Sequence, residues 1–255
     1  IKEISALKEK KYRDLQGKFF IEGLRFFEDA VKEKAVITKV IISEAFLNSM
    51  DKRIVQLRTL LVDFDTTVVS EKLFKVVSDT ERPQGILAVI EQNKASLENL
   101  PKGGNRLIVL EQLQDPGNMG TIIRTADAAG FNGIIISFGC VDPFNPKVLR
   151  STMGSIFRVP LYTSQSMEVA LNLLRYRGIK IYATHLNGRD SYFKLDIKND
   201  IAFIIGNEAS GICDRTIAFA DTLIRIPMVG GTESLNASVA ASVLMYESLR
   251  QRLSK

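Results

Sequence analysis

Five side chains in this 255-residue sequence have types and positions suited to chemistry: Asn118, Arg124, Glu208, Ser234 and Asn236. They fall in three stretches of one design. "EQLQDPGNMGTIIRTADAAGF" at 111 to 131 follows the apolar run "RLIVL", "IAFIIGNEASGI" runs from an apolar segment into Gly206, Asn207 and Glu208, and "IRIPMVGGTESLNASVAAS" passes through paired glycines to Ser234, Leu235 and Asn236. Glycine lets a backbone approach a ligand closely, and the first turn of a helix offers unpaired N–H groups. Loops at the carboxyl ends of parallel strands face a shared crevice, so a ligand site lined by these five residues follows if the three loops meet. Neither the dinucleotide fingerprint G-x-G-x-x-G nor the phosphate loop G-x-x-x-x-G-K-[ST] is present, which points to a ligand other than a pyrophosphate.

Each residue also has a plainer reading. Asn118 can serve only as a helix cap, Arg124 as one half of a surface ion pair, and Ser234 and Asn236 as caps of the last helix. Glu208 is harder to dismiss, because an acid beside a fully apolar strand needs a partner. The single histidine, His185, has no second histidine near it and is discounted as a catalytic base.

The elements that must position these residues alternate. "RLIVL" at 106, "GIIIS" at 133, "GIKIYA" at 178, "IAFIIG" at 201 and "TLIRIP" at 222 read as strands, with helices over 119–129, 146–152, 167–176, 212–219 and 236–252. Near-continuous Ile/Val/Leu strands between helices predict an α/β domain with a parallel sheet buried on both faces. Upstream, helical spacing at 3–15 and 22–34 with β-rich runs at 35–42 and 85–90 predicts a smaller α/β unit. The Pro/Gly-bearing stretch around 96–105 reads as a linker between a domain at 1–95 and another at 106–255.

The length allows two modest domains. No apolar run approaches the roughly 20 residues that span a bilayer, and the charged start lacks the apolar core of a signal peptide, so a cytoplasmic protein is expected. Cys140 and Cys213, far apart and without further ligands, support neither a metal site nor a disulfide framework and read as buried thiols. The net charge of +5 arises mainly after residue 99, and the first 20 residues add a basic helical tip, including Lys8, Lys10, Lys11 and Arg13, that is either a solvated face or a nucleic-acid contact.

Taken together, "DPGNMGTIIRTADAAGF", "IIGNEASGI" and "IRIPMVGGTESLNASVAASVLMYE" resemble, in order and spacing, the three motifs of the SpoU (TrmH) family of RNA 2′-O-ribose methyltransferases. "NPKVLRSTMGSIFRVP" at 145–160 is similar to the family's intervening segment. "KFFIEGLRFFEDAVKEKAVITKVIIS" and "ERPQGILAVIE" resemble its amino-terminal substrate-binding domain. One departure is Ala209 in "GNEASG", where family members often carry glycine.

The resemblance implies S-adenosylmethionine as methyl donor, a ribose 2′-hydroxyl in RNA as acceptor and a homodimer, beside the expectation of no metal and no membrane from composition. It also implies a SPOUT-type trefoil knot in the carboxyl-terminal domain. By the same carry-over, Thr184, Gly206, Ile226 and Leu235 hold the cofactor through their backbones, and Asn118, Arg124, Glu208, Ser234 and Asn236 form the reaction site. Charge alone then leads to the expectation that Glu208 orients Arg124 through a charge-assisted pair. Ribosomal RNA is the favoured substrate, because a separate binding module suits a structured RNA element. Transfer RNA, a non-catalytic RNA-binding protein and a nucleotide-dependent oxidoreductase are the other readings, the last disfavoured by the missing glycine fingerprint.

Overall fold

The computed structural model describes residues 1–93, 95–186, 188 and 190–254. Its contacts divide the chain into two compact units, one of residues 1–92 with 144–157, the other of residues 93–143 with 158–255.

The first unit opens with helices α1 (Lys2–Ala6) and α2 (Lys10–Gln16), strand β1 (Lys18–Glu22), helix α3 (Leu24–Lys32) and strand β2 (Ile37–Ser43). Helices α4 (Glu44–Asn48) and α5 (Lys52–Leu60), strand β3 (Thr66–Val69), helix α6 (Glu71–Val77) and strand β4 (Ile86–Glu91) complete its amino-terminal part. The four strands pair in the order β1-β4-β2-β3, with β4 antiparallel to both neighbours and β2 parallel to β3. Phe20, Ile41, Leu87 and Val89 from the sheet pack with Ile4, Leu7, Phe74 and Val77 from the helices into one core.

The helical stretch expected over 3–15 is two helices, and the break has a visible cause. Arg13 is buried, and its guanidinium donates to the carbonyls of Leu7 (2.7 Å) and Lys8 (2.8 Å), the groups freed where the first helix ends. Lys8 in turn donates to the carbonyls of Val76 and Ser78 at the end of α6. These two cations of the basic tip are therefore internal caps, leaving its other lysines for solvent or a ligand.

In the second unit, strand β5 (Arg106–Leu110) leads into helix α7 (Pro116–Ala128), and strand β6 (Gly133–Ser137) follows. Helix α8 (Pro146–Thr152) lies in the 144–157 segment and belongs to the first unit, where Phe144 stacks obliquely on Phe19 at 4.7 Å and Arg150 pairs with Asp79 at 2.5 Å. The second unit resumes with strand β7 (Leu161–Ser164), helix α9 (Met167–Tyr176), strands β8 (Lys180–Thr184), β9 (Asp190–Ser191) and β10 (Ile201–Ile205), helix α10 (Asp214–Ile217), strand β11 (Thr222–Arg225) and helix α11 (Ala237–Leu253). Seven strands, all parallel, run in the order β7-β6-β5-β10-β8-β11-β9. Every residue of β6 and β10 is buried, as expected for a sheet covered on both faces.

Two expectations change. Helix α7 begins at Pro116 rather than at 119, because Asp115 caps it by accepting from the Asn118 amide (2.7 Å) and proline fits the first helical position. The two thiols are not both buried: Cys140 is partly buried and Cys213 exposed, with Cys213 held at the mouth of α10 by the buried Glu111 carboxylate.

The capping role of Arg13 gives a direct test. Arg13→Ala is expected to lower unfolding stability by about 2 kcal/mol, as for loss of buried hydrogen bonds from a charged donor. Urea unfolding checks it.

Candidate active site

The three loops meet at the carboxyl edge of the parallel sheet. The strand β10 runs into Gly206, whose Cβ, if present, would lie 2.3 Å from the carbonyl carbon of Gly211, so only glycine allows the backbone to fold back on itself there. Asn207 locks the turn: its amide and carbonyl exchange hydrogen bonds with those of Gly211, and its Oδ1 accepts from the amides of Ala209 and Ser210. Its Nδ2 donates to the Gln112 carbonyl at 2.8 Å, tying this loop to the one after β5. Asn207 was not singled out from sequence, although it stands inside the second motif.

Glu208 then points at the start of α7. Its Oε1 accepts from the Asp115 amide (3.0 Å) and from Asn118 Nδ2 (3.0 Å), and its Oε2 accepts from the Gln114 amide (3.1 Å). Burial of the carboxyl pushes its pKa up, but hydrogen bonds from Asn118 and from the amides of Asp115 and Gln114 outweigh this and hold it below the ordinary glutamate value. The expected Glu208–Arg124 pair is not formed, because the carboxylate is already occupied by these donors at the first turn of α7.

Asn118 is buried in the helix and joins two loops at once. While its Nδ2 serves Glu208, its Oδ1 accepts from Asn236 Nδ2 at 2.9 Å. Asn236 is also the cap of α11, its Oδ1 accepting from the amides of Ser238 (2.9 Å) and Val239 (3.3 Å). Asn236, Asn118 and Glu208 thus form one hydrogen-bonded row across three loops that are distant in sequence.

Beside this row opens a cleft of about 1120 Å³. Its walls include Thr184, Gly206, Ile226 and Leu235, together with Glu208, Ser234 and Asn236. Between residues 226 and 235 the backbone makes no hydrogen bond to other backbone among the described residues, so this wall presents amide donors and carbonyl acceptors along with the side chains of Ile226, Met228 and Leu235. That combination, apolar surface with unpaired backbone polar groups and a glycine allowing close approach, fits a small ligand with both apolar and polar parts. Ser234 lines the cleft but is exposed and outside the row. Arg124 neither borders the cleft nor joins the row: it is exposed, without a hydrogen bond or ion pair among the described residues, about 9 Å along α7 from Asn118. Among the described residues no cluster of His, Cys, Asp and Glu could hold a metal, and no helix is long and apolar enough to cross a membrane.

Comparison with known proteins adds the lineage. Residues 105–246 match the SpoU rRNA Methylase family, and residues 1–88 match the MRM3-like substrate binding domain. Among curated proteins, the chain is 32% identical to the 23S rRNA (guanosine(2553)-2′-O)-methyltransferase RlmP of Bacillus subtilis, over 96% of this chain and 94% of that protein. Among solved structures, it resembles the SpoU methyltransferase AviRb of Streptomyces viridochromogenes in complex with AdoMet (TM-score 0.90, 27% identity, covering 99% of this chain and 97% of that one). It also resembles the AdoMet-bound rRNA methyltransferase of Sinorhizobium meliloti (TM-score 0.87, 33% identity, 99% and 95% covered). A parallel seven-stranded sheet whose three carboxyl-edge loops carry the motif residues, matched over more than half its length by the family's own pattern, makes this chain a member of the SpoU rRNA methylase family, of the SPOUT fold class.

Proposed function

We propose that this protein transfers a methyl group from S-adenosylmethionine to a ribose 2′-hydroxyl of ribosomal RNA. As a SpoU-family chain it is an S-adenosylmethionine-dependent RNA 2′-O-methyltransferase. The observation that carries the assignment of the site is the row Asn236–Asn118–Glu208 standing at the edge of a cleft lined by Thr184, Gly206, Ile226 and Leu235. Those four residues hold the cofactor, which when bound supplies an electrophilic methyl group. Ribosomal RNA is favoured over transfer RNA because RlmP and the Sinorhizobium meliloti enzyme, which match nearly the whole chain, are named for it, and because residues 1–88 match a substrate-binding domain. The domain at 1–95 binds RNA, and the one at 106–255 binds the cofactor and catalyses.

Methyl transfer needs acceptor oxygen, methyl carbon and leaving sulfur nearly in line, so positioning is a large part of the work. The row performs it: Asn236 fixes one wall of the cleft to Asn118, and Glu208 fixes Asn118 to the opposite loop. The ribose hydroxyl must shed a proton as its oxygen attacks. Glu208, an ionised carboxylate held to three N–H donors and of lowered basicity, is an anchor and not the base. Arg124 cannot be the base either, since a guanidinium stays protonated. Unpaired and exposed, it is free to clamp an RNA phosphate and the charge developing on the acceptor oxygen. Ser234, at the cleft wall, is free to bond the ribose.

Two further readings concern assembly. Val239, Tyr246 and Leu253 are exposed at seven-residue spacing on α11, opposite the buried Ala241, Leu244 and Ser248, and a second copy of the chain covers that stripe in a homodimer. The last helix, α11, is the part threaded through a loop in a trefoil knot.

The deciding experiment is a map of 2′-O-methylation in total RNA from cells with and without the gene. One ribosomal position should lose its methyl group; loss confined to transfer RNA would move the substrate assignment. With purified protein, Arg124→Ala should leave cofactor affinity within about two-fold and cut methylation on the order of 100-fold, as for a lost transition-state charge, with Arg124→Lys rescuing little. Activity within a few-fold of the parent would remove Arg124 from the site. Glu208→Gln places an amide N–H₂ against a backbone donor. Because folding lowers the pKa of Glu208, its stabilisation is present above the unfolded value of about 4.3 and is lost as pH falls through the folded value. The gap in melting temperature between parent and Glu208→Gln should therefore be full near pH 6 and narrow as pH falls below the unfolded value of about 4.3.

A further inference from the structure

The strand order assigns sides to the two substrates. The cofactor cleft is bounded by the ends of β8, β10 and β11, and the row from Asn236 to Glu208 closes it toward β5. An acceptor must approach from the side the donor leaves free, which is the carboxyl edge of β5 and β6. The ring standing there is Phe138, the residue just after β6, 75% exposed.

Phe138 is not on a loose tip. Its amide donates to the Ser164 carbonyl (3.1 Å), and its carbonyl accepts from Ser137 Oγ (3.1 Å), which itself accepts from the Gln112 amide (3.0 Å). The following residues are bound to the same neighbouring loop: the Gly139 carbonyl accepts from Gln114 Nε2, and Val141 and Leu113 are joined by a backbone hydrogen bond of 2.7 Å. The next amides of that loop, those of Gln114 and Asp115, donate to Glu208. An exposed aromatic side chain on a firmly bonded backbone is thus linked through one loop to the residue that anchors the site.

We propose that Phe138 is a stacking platform for an unpaired nucleobase of the RNA, at or beside the methylated ribose. The inference rests on the RNA 2′-O-methylation reading. Unstacked bases of single-stranded RNA segments are held on aromatic side chains, and a phenyl face selects for a flat ring and not for a base sequence. Phe138 is a positioning residue: it holds the acceptor nucleotide while the cleft holds the donor.

The test uses the full chain with an RNA that the parent methylates. Phe138→Ala and Phe138→Leu should each raise KM for RNA by about ten-fold, in line with the loss of one stacked base, with KM for S-adenosylmethionine and the melting temperature unchanged. Phe138→Trp should keep activity. Since the chain has no tryptophan, that variant also carries a single indole, whose fluorescence should be quenched when RNA is added. If Phe138→Ala and Phe138→Leu stay within two-fold of the parent in KM for RNA, the platform is wrong while RNA methylation stands. The platform is equally overturned if Leu substitutes fully, which marks an apolar contact, or if the indole responds to protein concentration and not to RNA, which marks a surface covered by a second copy. A parent that modifies no RNA under any condition overturns the underlying reading itself.

Discussion

The rest of this site depends on one buried amide. Asn118 donates to Glu208 and accepts from Asn236, and no other contact among the described residues joins all three loops at once. Its position is fixed twice over. It sits in the first turn of α7, where its backbone N–H is taken by the capping Asp115, and its side chain is buried, so leaving either end of its amide unsatisfied would cost on the order of 1–3 kcal/mol. A polar group held in this way specifies a geometry more than it adds stability, and geometry is what an in-line transfer requires.

Much of this was legible in the sequence, for a physical reason. A strand buried on both faces must be apolar throughout, so β5, β6 and β10 announced themselves as short apolar runs, while β8 and β11, which carry the exposed Lys180 and Arg225 at their ends, showed shorter ones. Strands that lack that environment did not. The edge strand β7 has an exposed threonine, β9 has two residues, and β3 is only partly covered, so none carries a run long enough to read. The partition was harder still: α8 lies between β6 and β7 in sequence, yet its segment packs with β1 through Phe144 and Phe157, a long-range contact that local pattern cannot express.

The site residues divide in the same way. Types and motif spacing picked out Asn118, Glu208 and Asn236, but the direction of each hydrogen bond came only from the fold. The pairing expected between Glu208 and Arg124 was the natural guess from charge, since two opposite charges in a polar loop region should attract. Three backbone and amide donors at 3.0 to 3.1 Å outcompete it, because they belong to the rigid start of a helix, whereas a long arginine must lose rotamer freedom to reach the same carboxylate. The arginine is left uncommitted, which is the state a residue needs if its partner is to be a substrate.

The cleft wall follows a matching logic. Residues 226–235 make no backbone–backbone hydrogen bonds outside the strand ladder among the described residues, so little beyond the Thr232–Ser234 contact and the half-buried Ile226, Met228 and Leu235 offsets the conformational entropy lost in ordering them. Their course is set from the ends, by Ile224 and Arg225 in the sheet and by Asn236 capping α11. A ligand that bonds those free amides and carbonyls binds the ordered wall and not the unfolded chain, and so stabilises it in proportion to the logarithm of its concentration over Kd. The same wall ends at Asn236, the first member of the row that reaches Glu208. Wall, row and the start of α7 are therefore joined by one continuous set of hydrogen bonds, from the cap of α11 to the carboxylate of Glu208.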